Sequence, residues 1–229
     1  MITPRFLAIL LVVGFASDVS VRLRADEPSS TSPRKNLILP GEVFEVAGHT
    51  AFLLPAAAGV SADGPKPWIL YSPTLPAYPD KAEKWMHEQF VAAGVAVAGI
   101  DTGESYGSPG AVKAAAALHA EMVRRGYAKK PALLGRSRGG LWASAWAIDV
   151  AARAGVPFFI IHGDADKVVP LEPNSAELKK RYEAAGKGNL VTLIIAPGQG
   201  HSFWKGFFHC QPLVDFLIAR AKAEPLDGE

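Results

Sequence analysis

Three residues whose side chains could carry out catalysis occur in this order along the chain: Ser137, Asp166 and His201. A serine hydroxyl becomes an effective nucleophile only when a neighbouring base takes its proton. Histidine is such a base, and a carboxylate that accepts its other ring N–H fixes the tautomer and stabilises the imidazolium. The three residue types therefore predict nucleophilic acyl transfer, provided that the fold brings them together.

The serine lies in the segment Gly-Arg-Ser-Arg-Gly-Gly at residues 135–140, between an apolar run and a helical pattern. A G-x-S-x-G sequence between a strand and a helix is the setting of a nucleophile elbow. The turn is sharp, and glycine at positions Gly135 and Gly139 avoids the collisions that larger side chains would cause. We expect the Ser137 hydroxyl to stand above the sheet and the Arg138 N–H to point into an oxyanion site.

Two aspartates compete for the role of the acid in the segment His-Gly-Asp-Ala-Asp-Lys-Val-Val-Pro at residues 162–170. Asp164 is nearer to the predicted strand and could cap the turn through its own backbone. Asp166 lies deeper in the loop and is the favoured partner of His201, which follows the last predicted strand in a glycine-rich loop. His162 ends a strand and is interpreted as a packed, hydrogen-bonded histidine.

The elements that must position these residues alternate between strand and helix patterns, with glycine and proline between them. Such alternation implies βαβ units and a mostly parallel sheet with helices on both faces. The sequence therefore predicts an α/β fold, a three-layer sandwich. Strands are predicted at residues 42–46, 50–54, 68–71, 95–100, 131–134, 156–162 and 190–196, and helices at 81–93, 111–125, 139–154, 176–185 and 212–223.

The serine and acid motifs, together with Gly-Gln-Gly-His at residues 198–201, resemble those of the α/β-hydrolase superfamily. The order Ser, Asp, His is diagnostic of that fold, and the branches most similar are bacterial esterases, dienelactone-hydrolase-like proteins and prolyl-oligopeptidase-like proteins. The resemblance spans residues 68–217 and implies a serine hydrolase that cleaves carboxylic esters, or peptide or amide bonds, through an acyl-enzyme. It also implies a second oxyanion donor, the backbone N–H of Thr74 or Leu75, since Pro73 has none. A rigid proline turn is the alternative for this loop.

The stretch between Ser137 and Asp166 departs from the family pattern because it is short. The family usually has another strand and helix there, often with a lid. We therefore expect a minimal fold without a lid and with an open cleft, which favours small soluble esters or exposed chain ends. Either the strand at residue 156 pairs beside the serine strand, or a segment has been lost. Loss of a strand would misplace Asp166 by about 4.8 Å, so a catalytically impaired binding protein is the alternative function.

Composition restricts the partners and cofactors. Basic and acidic residues nearly cancel, 24 against 22, and no basic stripe is present, so nucleic acid is not expected to bind. The single cysteine, Cys210, excludes an intramolecular disulfide and a multi-cysteine metal site. The six histidines lack the spacing of a zinc site. We expect no metal, no organic cofactor, and a small-molecule ester or peptide as substrate.

The N-terminus has the order of a secretory signal peptide: a positive charge, a short apolar run and small residues. Cleavage is expected after Ala16 or Ala25, and an uncleaved N-terminal anchor is the alternative. The sequence thus predicts export to the periplasm or the medium, with no stable membrane association once the signal is removed. The predicted organisation is a signal and lead-in at 1–25, a flexible segment at 26–38, an α/β-hydrolase domain at 39–223 and a tail at 224–229.

Overall fold

Strands and helices alternate through the computed structural model, which describes residues 35–59, 64–72, 77–103, 108–137 and 156–223. The predicted signal, the helix at 139–154 and the tail at 224–229 lie outside the described residues. The strands are β1 (Glu42–Val46), β2 (His49–Leu54), β3 (Trp68–Ser72), β4 (Ala96–Ile100), β5 (Ala132–Gly135), β6 (Phe158–Gly163) and β7 (Val191–Ala196). The helices are α1 (Lys84–Ala92), α2 (Pro109–Arg124), α3 (Glu177–Ala184), α4 (Lys205–Phe208) and α5 (Gln211–Lys222).

Five of the described strands form one sheet in the order β1-β2-β4-β3-β5. The three strands β4, β3 and β5 are parallel, with Leu70 opposite Ala98 on one side and opposite Leu133 on the other. The strands β1 and β2 form an antiparallel hairpin at the edge. Its two-residue turn, Ala47 and Gly48, has φ of 52° and 77°, as a type I′ turn requires.

The remaining two strands, β6 and β7, form a separate parallel pair with Ile161 opposite Ile194. Within the ranges given above, no backbone pairing joins β5 to β6. The pared-down arrangement in which the strand near residue 156 pairs directly with the serine strand is therefore not the one observed. The strand β6 pairs with β7 along all six of its residues and has no described partner on its other edge.

Helices pack on both faces of the five-stranded sheet because its central strands alternate their side chains between two cores. All residues of β3 and β4 are buried, as strands covered on both faces require. One core contains Ile69 and Tyr71 with residues of α1 and α5, and the other contains Trp68 and Leu70 with residues of α2. The predicted α/β three-layer sandwich is confirmed.

The C-terminal helix α5 also contacts the second pair of strands, since the rings of Phe216 in α5 and Phe159 in β6 have centroids 5.7 Å apart. The helix α3 also packs against β6 and β7, since its Leu178 and Tyr182 contact Val191. No helix in the described ranges is both long enough and apolar enough to cross a bilayer.

Candidate active site

Ser137 occupies a strained turn directly after β5. Its φ is 51°, in the left-handed region where a residue with a Cβ atom costs roughly 1–2 kcal/mol. The register of β3 with β5 pairs Ser72 with Gly135, so the turn lies at the carboxyl end of the central strands. Gly135 is the last residue of β5, one residue beyond the predicted end of the strand. Such a conformation is the one that a nucleophile elbow imposes on its serine.

Ser137, His201 and Asp166 are joined by two hydrogen bonds. The Oγ of Ser137 lies 2.8 Å from Nε2 of His201, and Nδ1 of His201 lies 2.9 Å from Oδ2 of Asp166. An ionised carboxylate can only accept, so Nδ1 carries the proton and Nε2 accepts the hydrogen bond from the serine hydroxyl. This is the arrangement in which histidine can take the proton of the serine. The three residues are called the hydrogen-bonded triad below.

The carboxylate of Asp166 is held on both of its oxygens. Oδ1 accepts hydrogen bonds from the backbone N–H of Val168 at 2.9 Å and of Val169 at 2.8 Å, which leaves Oδ2 for His201. Burial raises the pKa of Asp166, but the hydrogen bonds from Val169, His201 and Val168 outweigh burial and hold its pKa below the usual value. Asp166 is therefore ionised at neutral pH, as the partner of a histidine base must be.

Asp164 joins the acid loop to the histidine loop. Its Oδ1 accepts a hydrogen bond of 2.6 Å from the N–H of Gly198, and the N–H of Ala165 donates to the carbonyl of Gln199 at 3.0 Å. A side chain at Gly163 would collide with that same carbonyl. The sequence offered Asp164 as a rival of Asp166 or as a cap of its own turn. In the structure its carboxylate instead accepts from Gly198 in the loop after β7, which fixes the segment that carries His201.

His162 uses both ring nitrogens in the interior. Its Nε2 lies 2.7 Å from the carbonyl of Val169, which can only accept, so Nε2 carries the proton. Nδ1 then accepts from the hydroxyl of Ser175 at 2.6 Å. The interpretation of His162 as a packed, hydrogen-bonded histidine is confirmed.

A buried ionic network that sequence reasoning missed lies directly beside Ser137. The carboxylate of Glu83, 1% exposed, accepts hydrogen bonds from the Tyr71 hydroxyl at 2.8 Å and from Nη1 of Arg136 at 2.6 Å. Burial raises the pKa of Glu83, and Arg136 counters only part of that effect. The signal in the sequence was the arginine between Gly135 and Ser137, a position that must face either solvent or an acidic partner.

The remaining predicted site residues, Arg138, Gly139, Thr74 and Leu75, lie outside the described residues. In the part of the chain that the structure describes, no group of three or more histidine, cysteine, aspartate or glutamate residues is placed to hold a metal ion. Cys210 is a free thiol, partly buried.

Several solved structures are similar to this chain over most of its length. A cold-adapted esterase from an Arctic intertidal metagenomic library matches with a TM-score of 0.58 and 18% identity, covering 79% of this chain and 92% of the esterase. The thermophilic esterase Est2 of Thermogutta terrifontis matches with a TM-score of 0.56 and 16% identity, covering 85% and 97% of the two chains. Est1E of Butyrivibrio proteoclasticus matches with a TM-score of 0.55 and 16% identity, covering 78% and 96%. No protein-family model and no curated protein matches this chain by sequence. The structural similarities, at 16–18% identity, establish the fold.

Proposed function

We propose that this chain, which has the α/β-hydrolase fold, is a serine hydrolase that cleaves carboxylic esters through an acyl-enzyme. The observation that carries the proposal is the hydrogen-bonded triad, in which Ser137 Oγ lies 2.8 Å from Nε2 of His201 and Asp166 lies 2.9 Å from its Nδ1. Two of the proteins with the same fold are esterases by title. Cleavage of peptide or amide bonds by the same residues is the alternative reaction to test beside ester cleavage.

The proposed reaction uses one proton relay in two directions. Ser137 Oγ attacks the ester carbonyl carbon while Nε2 of His201 takes the hydroxyl proton, and Asp166 stabilises the imidazolium. The tetrahedral intermediate expels the alcohol, which receives that proton from His201. Water then attacks the acyl-enzyme with His201 again as base, and the carboxylic acid leaves with Ser137 restored. The backbone N–H groups of Arg138 and of Thr74 or Leu75 are the proposed donors to the oxyanion.

Exposed apolar side chains follow Asp166 and His201 closely in sequence and support an apolar ester as substrate. Val168, 71% exposed, follows Asp166 by two positions, and Phe203, 65% exposed, follows His201 by two positions. Exposed apolar surface next to a reactive group is a feature of ligand sites. Together with the open cleft that the sequence predicts, these residues favour esters of short apolar acids.

A panel of p-nitrophenyl esters of increasing acyl length, with matched anilides, tests the proposal. The wild-type protein should hydrolyse short esters faster than long ones, and Ser137→Ala should lose activity by about 10³-fold or more. The matched control is Ser108→Ala, because Ser108 caps the N-terminus of α2 and receives its hydrogen bond from Ala111. Ser108→Ala should cost about 1 kcal/mol of stability and leave kcat unchanged.

A binding protein without activity is the second candidate. It is favoured by the absence of strand pairing between β5 and β6 in the described ranges, since Ser137 and His201 belong to different sheets. Wild-type protein that is folded and hydrolyses no ester or anilide of the panel would favour this candidate and contradict the proposed reaction.

We also propose that a signal peptide within residues 1–25 directs export and is removed. The apolar run behind Arg5 is too short to span a bilayer, which favours a cleaved signal over an anchor. Intact mass spectrometry of the exported protein should give the mass expected for cleavage after Ala16 or Ala25. Recovery of the full-length mass in the membrane fraction would contradict cleavage and support the anchor.

A further inference from the structure

The hydrogen-bonded triad is assembled from two sheets that no described backbone pairing connects. Ser137 follows β5 of the five-stranded sheet, whereas Asp166 and His201 follow β6 and β7 of the second pair of strands. Asp166 and His201 therefore share one rigid pair of loops, but the distance from Ser137 to His201 is not set by a strand ladder. Among the described residues, side-chain contacts link the two parts, and the separation of Ser137 from His201 is 2.8 Å.

Arg136 is anchored on the side of the five-stranded sheet. Its Nη1 lies 2.6 Å from Oε2 of Glu83 and 3.1 Å from Oδ2 of Asp80, and its guanidinium carbon lies 3.9 Å from the centre of the Tyr78 ring. Glu83 is itself fixed by the hydroxyl of Tyr71 in the central strand β3. Two carboxylates and an aromatic ring thus hold the guanidinium group of the residue that precedes Ser137.

The same guanidinium group contacts the segment that follows His201. Its carbon atom lies 5.0 Å from the centre of the Phe203 ring and 5.0 Å from that of the Phe208 ring. Cations are attracted to aromatic rings within about 6 Å. Phe203 is two positions from His201, and Phe208 is buried at the end of α4. Arg136 thus contacts residues packed on the five-stranded sheet that carries Ser137 and residues of the segment that follows His201.

We propose that Arg136 is a positioning residue that holds the His201 loop against the turn of Ser137 through Phe203 and Phe208, and so sets the separation of nucleophile and base. The proposal rests on the proposed function for its effect on rate. Arg136 does not contact the reacting atoms in this account. Its charge is balanced by Glu83 and Asp80, which suits a clamp better than an anion-binding group.

The test compares Arg136→Gln with Arg125→Gln, a matched control. Arg125 also pairs with two carboxylates, Glu42 and Glu121, and its guanidinium carbon also lies over a ring, that of Phe44 at 4.0 Å. Arg136→Gln should lower kcat for a short p-nitrophenyl ester by roughly 10²-fold, the effect of a misplacement of about 1 Å, with KM changed less than about threefold. Arg125→Gln should leave kcat unchanged, and Arg136→Lys should restore part of the rate because it keeps the cation.

Phe203→Leu, alone and combined with Arg136→Gln, extends the test. The single variant keeps the ion pairs of Arg136 with Glu83 and Asp80, since Phe203 is largely exposed. If Arg136 acts through Phe203, the effects on kcat are not additive, and the double variant is little slower than Arg136→Gln alone. Should Arg136→Gln fail to fold, Phe203→Leu alone must still lower kcat more than Arg125→Gln does. The proposal would be overturned if Phe203→Leu and Arg125→Gln changed kcat equally, or if the losses in kcat of Phe203→Leu and Arg136→Gln were additive in the double variant.

A structural readout separates this proposal from the proposed function. In a crystal structure of Arg136→Gln, the distance from Ser137 Oγ to His201 Nε2 should exceed the hydrogen-bonding limit of about 3.5 Å, against 2.8 Å here. A distance that stays at the wild-type value overturns the positioning role, even if the enzyme is active. A wild-type protein that hydrolyses nothing contradicts the proposed function. The distance from Ser137 Oγ to His201 Nε2 in the variant, compared with the wild type, still decides the role of Arg136.

Discussion

The carboxylate of Asp166 is hydrogen-bonded through one oxygen to His201 and through the other to the backbone of its own loop. Oδ2 lies 2.9 Å from His201 Nδ1, while Oδ1 accepts from the N–H groups of Val168 and Val169. The two backbone bonds fix the plane of the carboxylate, so the imidazole is oriented with Nε2 toward Ser137. The Val-Val dipeptide that follows Asp166 is thus part of the orientation of the base.

Asp166→Asn is expected to reduce kcat by about 10³–10⁴-fold while the protein stays folded, because an amide that donates to Nδ1 favours the wrong tautomer of His201. The neighbouring Asp164→Asn is the control. Its amide oxygen can still accept from the N–H of Gly198, the bond that Asp164 makes now, so kcat should change less than about threefold. Hydrolysis rates on one ester decide the matter, and comparable losses in both variants would contradict the assignment of Asp166.

Ser137→Gly is expected to be more stable than Ser137→Ala by about 0.5–1 kcal/mol, because glycine relieves the left-handed strain and offsets its greater freedom in the unfolded chain. Both variants lack the hydroxyl, so the comparison isolates the backbone. Urea denaturation measures the difference. Ala47→Gly is the control, since Ala47 has φ of 52° in the hairpin turn, close to the 51° of Ser137. Equal stability of the two Ser137 variants would show that the turn carries no strain.

His87→Leu is expected to stabilise the protein by about 1 kcal/mol at neutral pH, since an apolar residue replaces a buried polar one. His87 is fully buried between the rings of Tyr71 and Phe90, and neither of its ring nitrogens has a hydrogen-bond partner in the described structure. Burial lowers the pKa of His87 from 6.5 to about 3.

The pH dependence of stability gives the sharper test of His87. As the pH falls below 6.5, His87 becomes protonated in the unfolded chain, whereas in the folded protein it stays neutral until about pH 3. The wild-type protein should therefore lose about 1.4 kcal/mol of stability per pH unit in this window through His87 alone, and His87→Leu should abolish that part of the slope. The partly exposed His119, replaced by leucine, serves as control. A slope unchanged by His87→Leu would mean that the residue is charged or solvated in the fold.

Much of the fold was predictable because local patterns decide it. All seven described strands fall within two residues of their predicted ends, since their apolar runs and the glycines between them are local signals. The convergence of Ser137, Asp166 and His201 was expected because all three follow strands that the sequence assigns to one parallel sheet, whose strands end at the same edge. In the structure Ser137 follows the five-stranded sheet and the other two follow the second pair of strands. The short helix α4 was missed, since its four residues lie within an aromatic run that shows no helical period.

Features that depend on the partner of a residue were not predictable from one sequence. Glu83 and His87 lie in a helical pattern where charged and polar residues are normally exposed, yet both are buried because Arg136 and an apolar core lie against them. The pairing of β6 with β7 alone was also hidden, since periodicity shows that a strand is buried but not which strand lies next to it. Asp164 needed the position of Gly198, which is remote in sequence.

Covalent labelling determines whether Ser137 is an activated nucleophile. Wild-type protein treated with a fluorophosphonate should gain the mass of one adduct, and peptide mapping should place that adduct on Ser137. Ser137→Ala should not react, and Asp164→Asn should react like the wild type. Folded wild-type protein that gains no adduct, or equal labelling of Ser137→Ala, would show that Ser137 is not the nucleophile.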